Sequence, residues 1–513
     1  MSRSPAISIH TKQIKNTRNF IKIMTEPLYL ENYIDGKWHK PSSNEYIDSE
    51  NPATKVVTIK VPKSTPADGD MAVEAALKAF PAWSKLQPKE RAVYMNNLAD
   101  YVEQHLDEFA EAESADQGKP VSLAKMIDVP RCIQNFRYFA EAIKHSEEKL
   151  TKQIANDGQS VINYTFKSPI GVYCLISPWN LPIYLLSWKI APCIAFGNTC
   201  VAKPAQITSH TAYLLAKAME ACNFPPGVCN IVFGDGRNVA NHVVQHPKIR
   251  GVSFTGSTGV GKHIAKHCGA NLKKSSMELG GKNPGIVFAD CDLELAAKKT
   301  AISSFTNQGE VCLCTERIFV ERPIFDKFLE RLIHYTKTMY PVGDPSKKET
   351  KFGALVGKAH YNEVVSYVER AIEQGAKVEL GWTKTCEEVR KMPGYFFPPT
   401  ILTNVTDDME IMKEEVFGPM CCVVPFDDED EVIRRANQLE YGLAATLFSK
   451  DLGKVHRVGQ QIMSGTVWVN NWLVRDLHMP FGGMKDSGIG RESVHDSEEF
   501  FTEVKCVSVS YGN

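Results

Sequence analysis

Asn307-Gln308-Gly309-Glu310-Val311-Cys312 sets a cysteine just after a Gly-containing bend, a common way of presenting a thiol nucleophile. Upstream, Met277-Glu278-Leu279-Gly280-Gly281-Lys282-Asn283-Pro284 places a carboxylate at the end of an apolar strand, immediately before a turn. A thiol and a carboxylate on separate segments suit covalent catalysis, in which Cys312 attacks an electrophile and Glu278 later activates the water that frees the product. On their own the same residues describe a packed cysteine and a turn-capping acid, because free cysteine is among the most buried residue types.

The elements that must position these groups alternate along the chain. From Ala67 to His105 apolar residues recur at helical intervals (Val73, Ala76, Leu77, Phe80, then Val93, Leu98, Val102). From Gly171 onward strand and helix take turns: strands at 172–176, 199–202, 228–232 and 251–254, helices at 184–195, 211–221 and 239–245. A second alternating block runs from Gly285 to about His478, and a strand is expected near the end, over 500–509. Such alternation predicts an α/β fold with parallel sheets covered by helices on both faces. Gly256-Ser257-Thr258-Gly259-Val260-Gly261 follows one of these strands and opens a helix, so its backbone N–H groups can face a pyrophosphate; many glycine-rich turns merely connect elements.

With 513 residues the chain is too long for one core, so two or three domains are expected. Hydrophobic content of 43%, charged content of 23% and a net charge of −1 without like-charged blocks speak against a nucleic-acid or membrane-surface partner. The longest apolar stretch, 170–197, is interrupted by Pro178, Asn180, Pro182, Lys189 and Pro192, and reads as a buried strand, a loop and a core helix rather than a membrane span. The fourteen cysteines form neither a disulfide framework nor a metal pattern, so no metal is expected and a reducing, cytoplasmic compartment is implied. Residues 1–25 lack acidic residues and carry Arg3, Lys12, Lys15, Arg18 and Lys22, the composition of a mitochondrial transit peptide or of a basic extension.

Further motifs stand in one order along the chain: Ser177-Pro178-Trp179-Asn180-Leu181-Pro182, Val201-Ala202-Lys203-Pro204, Phe254-Thr255-Gly256-Ser257-Thr258-Gly259, Glu414-Glu415-Val416-Phe417-Gly418-Pro419 and Pro480-Phe481-Gly482-Gly483-Met484-Lys485. With the Cys312 and Glu278 segments, the set resembles the aldehyde dehydrogenase superfamily from about Tyr29 to Val509. The resemblance implies a Rossmann-type NAD-binding domain (26–147 and 170–281), an α/β catalytic domain (282–480) and oligomerisation elements (148–169 and 481–513) of a homotetramer or homodimer. It also implies an aldehyde oxidised through a thiohemiacetal and a thioester on Cys312, with the Asn180 amide and the Cys312 N–H holding the oxyanion and Glu278 completing hydrolysis. For NAD it implies contacts from Trp179, Lys203, Gln206, Gly236, Gly256, Ser257, Thr258, Gly259, Val260, Gly261, Glu415 and Phe417. Gln206 stands where the superfamily usually has a glutamate that repels a 2′-phosphate, so weaker discrimination against NADP is expected. Lys189 matches a lysine assigned to proton relay, or is a buried amine paired with backbone carbonyls; Cys314 either shields the nucleophile or packs as filler.

Glu310, where most of the superfamily has Gln, the run 130–139 around Arg131 and Asn471-Trp472-Leu473-Val474-Arg475 resemble the branch acting on 2-aminomuconic semialdehyde. That substrate carries a carboxylate, which Arg131 and Arg475 suit by bidentate binding; as a plain alternative they are surface arginines. Retinal or another aldehyde is the second expectation for the substrate, and a catalytically silent, crystallin-like structural protein the non-enzymatic one.

Overall fold

In a computed structural model the chain is described over residues 26–145, 147–383 and 386–511; the basic segment 1–25 lies outside the described residues. An eight-stranded sheet runs in the order Gly488–Ile489, Lys274–Glu278, Ile249–Thr255, Val172–Ile176, Thr199–Lys203, Cys229–Ile231, Asn32–Ile34, Lys37–His39. From Lys274–Glu278 to Cys229–Ile231 its strands are parallel, and antiparallel strands close both edges. The period-2 alternation of a strand divides the central side chains between two cores. Tyr173, Leu175, Cys200 and Ala202 pack with the helix Pro182–Ala195, while Cys174, Ile176 and Val201 pack with the helix Pro66–Trp83 on the other face. Burial on both faces explains why these strands read as unbroken apolar runs.

A seven-stranded sheet follows, in the order Lys377–Leu380, Thr400–Thr403, Met420–Phe426, Thr315–Glu321, Asn283–Val287, Ala444–Phe448, Thr466–Val469. It is parallel except for its first strand. Lys274–Glu278 ends the parallel run of one sheet and Asn283–Val287 lies inside the other, so residues 279–282 carry the chain across. In parallel α/β sheets ligands bind beyond the carboxyl ends of the strands. Trp179 and Asn180 follow Ile176, Gln206 follows Lys203, Gly236 follows Ile231, Gly256 follows Thr255, and Glu278 ends its own strand.

The end of the chain divides between two sheets, and its last strand, Thr502–Tyr511, overlaps the strand expected over 500–509. Gly488–Ile489 pairs antiparallel with Met277 and Glu278 in the first sheet. Thr502–Tyr511 instead pairs with Ser160–Pro169, which in turn pairs with Leu150–Ile154. The helix expected over 239–245 begins earlier, as a π-type turn at Gly236–Ala240, because the Asp235 carboxylate caps the Asn238 N–H at 2.7 Å.

Before Cys312 the chain turns through a short 3-10 segment, Thr306–Gly309, in which Asn307, Gln308 and Gly309 have φ of 53°, 56° and 74°. Left-handed backbone is costly for Gln308, and its side chain offsets the cost by accepting from the Gly353 N–H and donating to the Ala354 carbonyl, both at 3.3 Å. At Gly309 a Cβ would lie 2.2 Å from the Gly418 carbonyl oxygen, so only glycine fits. Gly309→Ala is therefore expected to cost about 2 kcal/mol or more and to abolish most turnover, as read by thermal unfolding and NADH production. An unchanged unfolding midpoint with unchanged turnover would show that the bend tolerates a side chain.

Candidate active site

The loop that follows the bend is held by its carbonyls. Asn283 Nδ2 donates to the carbonyls of Cys312 at 2.7 Å and Cys314 at 2.8 Å, and Trp472 Nε1 donates to that of Leu313 at 3.0 Å. Asn283 Oδ1 accepts the Ala444 N–H at 3.0 Å, so one amide ties the loop to two strands. Cys314 is buried among Leu181, Val311, Trp468 and Trp472, which is the packing role. Asn180 is buried beside the loop: its Nδ2 donates to the Glu310 carbonyl at 3.0 Å, leaving one N–H free. Its own carbonyl accepts from Asn307 Nδ2 at 3.1 Å and from Lys119 Nζ at 3.0 Å.

Two chambers meet at Cys312. One of about 220 Å³ is lined by Trp179, Gly256, Ser257, His360, Glu415 and Phe417; the other, of about 340 Å³, by Asp128, Arg131, Leu181, Tyr184, Arg475 and Phe481. The nucleophile belongs to both walls.

In the first chamber the helix Thr258–Ala270 opens at Ser257 without a side-chain cap, and Thr258 Oγ1 is buried without a partner among the described residues. Uncapped N–H groups at a helix start suit a phosphate. Glu415 Oε1 accepts the Gly281 N–H at 2.9 Å, and a Cβ at Gly280 would lie 2.2 Å from Glu415 Oε2, so the carboxyl and the backbone are in close approach. Burial, then the charge of Glu316, pushes the Glu415 carboxyl up to about 8. Trp179 meets the Phe417 ring at 5.2 Å and that of His360 at 5.0 Å. Away from this chamber, Lys203 ends its strand nearly buried, and burial brings its amine down to about 8. Gln206 is half-buried three residues on, Gly236 starts the π-type turn, and Val260 lies exposed on the first turn of the helix between Gly259 and Gly261.

The second chamber ends in two cations that converge on one phenol. Arg131 Nη2 and Arg475 Nη1 each donate to the Tyr184 hydroxyl at 3.3 Å. Arg475 lies 3.8 Å over the Phe481 ring, and its Nη2 is buried without a hydrogen-bond partner among the described residues. Among the described residues no acid forms a salt bridge with either guanidinium.

Glu278 lies outside both linings, its Oε1 close to Gly482 and without a hydrogen-bond partner among the described residues. Burial, then the charge of Glu492, raises its carboxyl well above the ordinary range, against the pull of Lys189, Arg475 and Arg491. Lys189 Nζ donates to Ser253 Oγ at 2.9 Å and stands 3.6 Å from Glu492, so its partners are side chains rather than backbone carbonyls. The Cys312 thiol is likewise raised, by burial first and then by the charges of Glu415 and Glu278.

Sequence reasoning missed Lys119, Tyr184 and His360 and gave Asn283 no role. Asn283 stood inside the Glu278 motif and its polarity at a strand start was a usable signal; nothing local marks His360, which enters from the helix Lys358–Glu373 of the other half.

Residues 38–507 match the model of the aldehyde dehydrogenase family. The 2-aminomuconic semialdehyde dehydrogenase of Mus musculus is 49% identical over 488 residues, covering 95% of this chain and 99% of its own. The 2-hydroxymuconic semialdehyde dehydrogenase of Pseudomonas sp. (strain CF600) is 41% identical, covering 94% of this chain and 99% of its own. Among solved structures, the NAD+ complex of an aldehyde dehydrogenase from Bacillus cereus superposes with a TM-score of 0.90 at 37% identity, over 94% of this chain and 97% of that one.

Proposed function

Since the chain belongs to the aldehyde dehydrogenase family and oxidises an aldehyde with NAD, we propose that its substrate is 2-aminomuconic 6-semialdehyde, on the route of tryptophan degradation through kynurenine. The observation that carries this is the pair Arg131 and Arg475, meeting on Tyr184 across the chamber that starts at Cys312, with no salt bridge to an acid among the described residues. A carboxylate at the far end of a short semialdehyde supplies that partner while its aldehyde reaches the thiol. The names of the mouse and Pseudomonas relatives support the same choice. Retinal would leave both guanidinium groups desolvated against hydrocarbon, a costly arrangement.

The residues divide the chemistry as follows. Cys312 reacts as its thiolate, and the Glu278 carboxyl, raised by burial, serves as base in the hydrolytic half. The thiolate adds to the aldehyde carbon; the oxyanion takes the free N–H of Asn180 Nδ2 and the Cys312 N–H. A bound NAD would supply the hydride acceptor for that carbon. The thioester left on Cys312 is attacked by a water whose proton Glu278 takes, and the thiolate departs as the acid is released. The uncapped start of Thr258–Ala270, with Gly256 and Ser257, would hold the pyrophosphate; Lys203, Gln206 and Gly236 the adenosine end; and Trp179, Glu415 and Phe417, with His360, the nicotinamide end. Exposed apolar side chains on the outer three-stranded sheet, Leu150, Ile154 and Val504, suit a homotetramer contact.

Glu278→Gln is expected to keep a first-turnover burst of NADH while steady turnover falls about 100-fold or more. Because burial raises this carboxyl, the base form grows as pH rises, so wild-type deacylation should climb with pH and that slope should vanish in the variant; loss of the burst as well would show that Glu278 is already needed in the first half-reaction. Arg131→Ala and Arg475→Ala should each raise KM for 2-hydroxymuconic semialdehyde about 10- to 100-fold with kcat changed little, and a preference for retinal over the acidic semialdehyde would sink the substrate assignment. Gln206→Glu should increase the NAD-over-NADP preference about tenfold through like-charge repulsion of the 2′-phosphate; equal preferences in both proteins would show that this position does not face the ribose.

A further inference from the structure

The chamber that holds the two arginines also holds an acid that the scheme above leaves unused. Asp128, the first residue of the helix Asp128–Ala142, lines it together with Arg131, Tyr184, Arg475 and Cys312. It is fully buried. Its Oδ1 accepts from Lys119 Nζ at 2.8 Å, and its Oδ2 has no hydrogen-bond partner among the described residues. A buried carboxylate oxygen without a donor is costly, and a ligand that brings one gains what the protein has forgone. Asp128 and Arg131 are three residues apart on one helix and so share a face. The chamber thus presents the donors of Arg131, Arg475 and Tyr184 and, besides the Asn307 amide oxygen, which also has no partner among the described residues, the acceptor-only oxygen of Asp128.

We propose that Asp128 is a specificity-determining residue whose free oxygen accepts a hydrogen bond from the substituent on the carbon that carries the substrate's carboxylate. This rests on the carboxylate-semialdehyde reading above and narrows it: the arginines take the acid, and Asp128 reads the N–H or O–H next to it. An amino and a hydroxyl group both donate, so both fit; hydrogen at that position leaves Oδ2 as bare as it is in the free protein. A site built around a buried acceptor rejects a ligand without the donor more strongly than a hydrophobic pocket rejects a missing methylene.

Asp128 also has a structural duty, since Lys119 Nζ donates to the Asn180 carbonyl at 3.0 Å as well. Loss of the acid could therefore slow every substrate through a displaced Asn180. The two roles separate in a ratio. The experiment compares kcat/KM for 2-hydroxymuconic semialdehyde and for the same six-carbon dienoic semialdehyde with hydrogen in place of the hydroxyl, in wild type, Asp128→Asn and Arg131→Ala.

Wild type should favour the hydroxylated substrate by at least about tenfold, the effect of one hydrogen bond to a charged partner. Asp128→Asn should bring that ratio to near one whatever its overall loss, whereas Arg131→Ala should slow both substrates and leave the ratio standing. An equal loss on both substrates in Asp128→Asn, with the ratio intact, would overturn the proposal and leave Asp128 as the counter-ion of Lys119. Should that variant not fold, wild type alone decides through thermal protection by hexa-2,4-dienedioate and by its 2-hydroxy derivative. Protection at lower concentration by the hydroxylated acid supports the inference, and equal protection overturns it. Wild type that oxidises other aldehydes but neither acidic semialdehyde would overturn the substrate reading itself, and this inference with it.

Discussion

Three consecutive residues between the two large sheets, Gly281, Lys282 and Asn283, fasten the catalytic half of this molecule. The Gly281 N–H holds the Glu415 carboxyl, the Lys282 ammonium is buried against Glu316, and the Asn283 amide holds the carbonyls around Cys312. Glu316 in turn accepts the N–H groups of Val416 and Phe417, at 3.2 and 3.3 Å. The nucleophile and the wall of the first chamber are therefore positioned from one short stretch, which itself begins three residues after Glu278. A reaction that needs thiol, base and hydride acceptor in register gains from placing all of them against a single fixed element, because small displacements of reacting groups are expensive in rate.

Holding polar groups so far from water has an electrostatic consequence. The Lys282–Glu316 pair is buried and directly bonded, as is Lys119 against Asp128, and one ion of each pair, Glu316 and Lys119, also reaches main-chain groups. Buried ion pairs contribute little net stability, but removing one partner strands the other. Their use here is positional: Lys119 fixes the carbonyl of Asn180, and Glu316 fixes the segment of Phe417. The groups that must change protonation are treated differently. Glu278, Cys312 and Glu415 stand buried near like charges, and burial outweighs the pull of the neighbouring cations, so all three are pushed upward. The protein thus separates charges that hold shape from groups that exchange protons.

Much of this was legible in the chain itself. Strand and helix alternation showed the succession of the parallel elements, because strands covered on both faces are largely apolar, as Val172–Ile176 is throughout and Thr199–Lys203 is at its centre. The bend before Cys312 was legible through Gly309, and the carboxylate through its place at a strand end. Less legible were groups with no local signature: His360 reaches the Trp179 ring from a helix far along the chain, and Tyr184 looks like any core aromatic until two arginines 344 residues apart donate to its hydroxyl. The division of residues 481–513 between two sheets was equally invisible, since short strands such as Gly488–Ile489 carry too few residues to show a period.

What the sequence determined alone was chemistry and order: a thiol, a carboxylate and an amide in a given succession, on elements whose apolar spacing dictates α/β layering, and a family by its motifs. These are local properties, set by residue type and by the period of burial. Only the tertiary structure decided which walls share Cys312, which cations lie unpaired at the far end of the second chamber, and which oxygen of Asp128 has no donor. Those depend on the juxtaposition of segments hundreds of residues apart and on whether a buried polar atom finds its partner there. No local pattern encodes that, because the partner is supplied by another part of the chain.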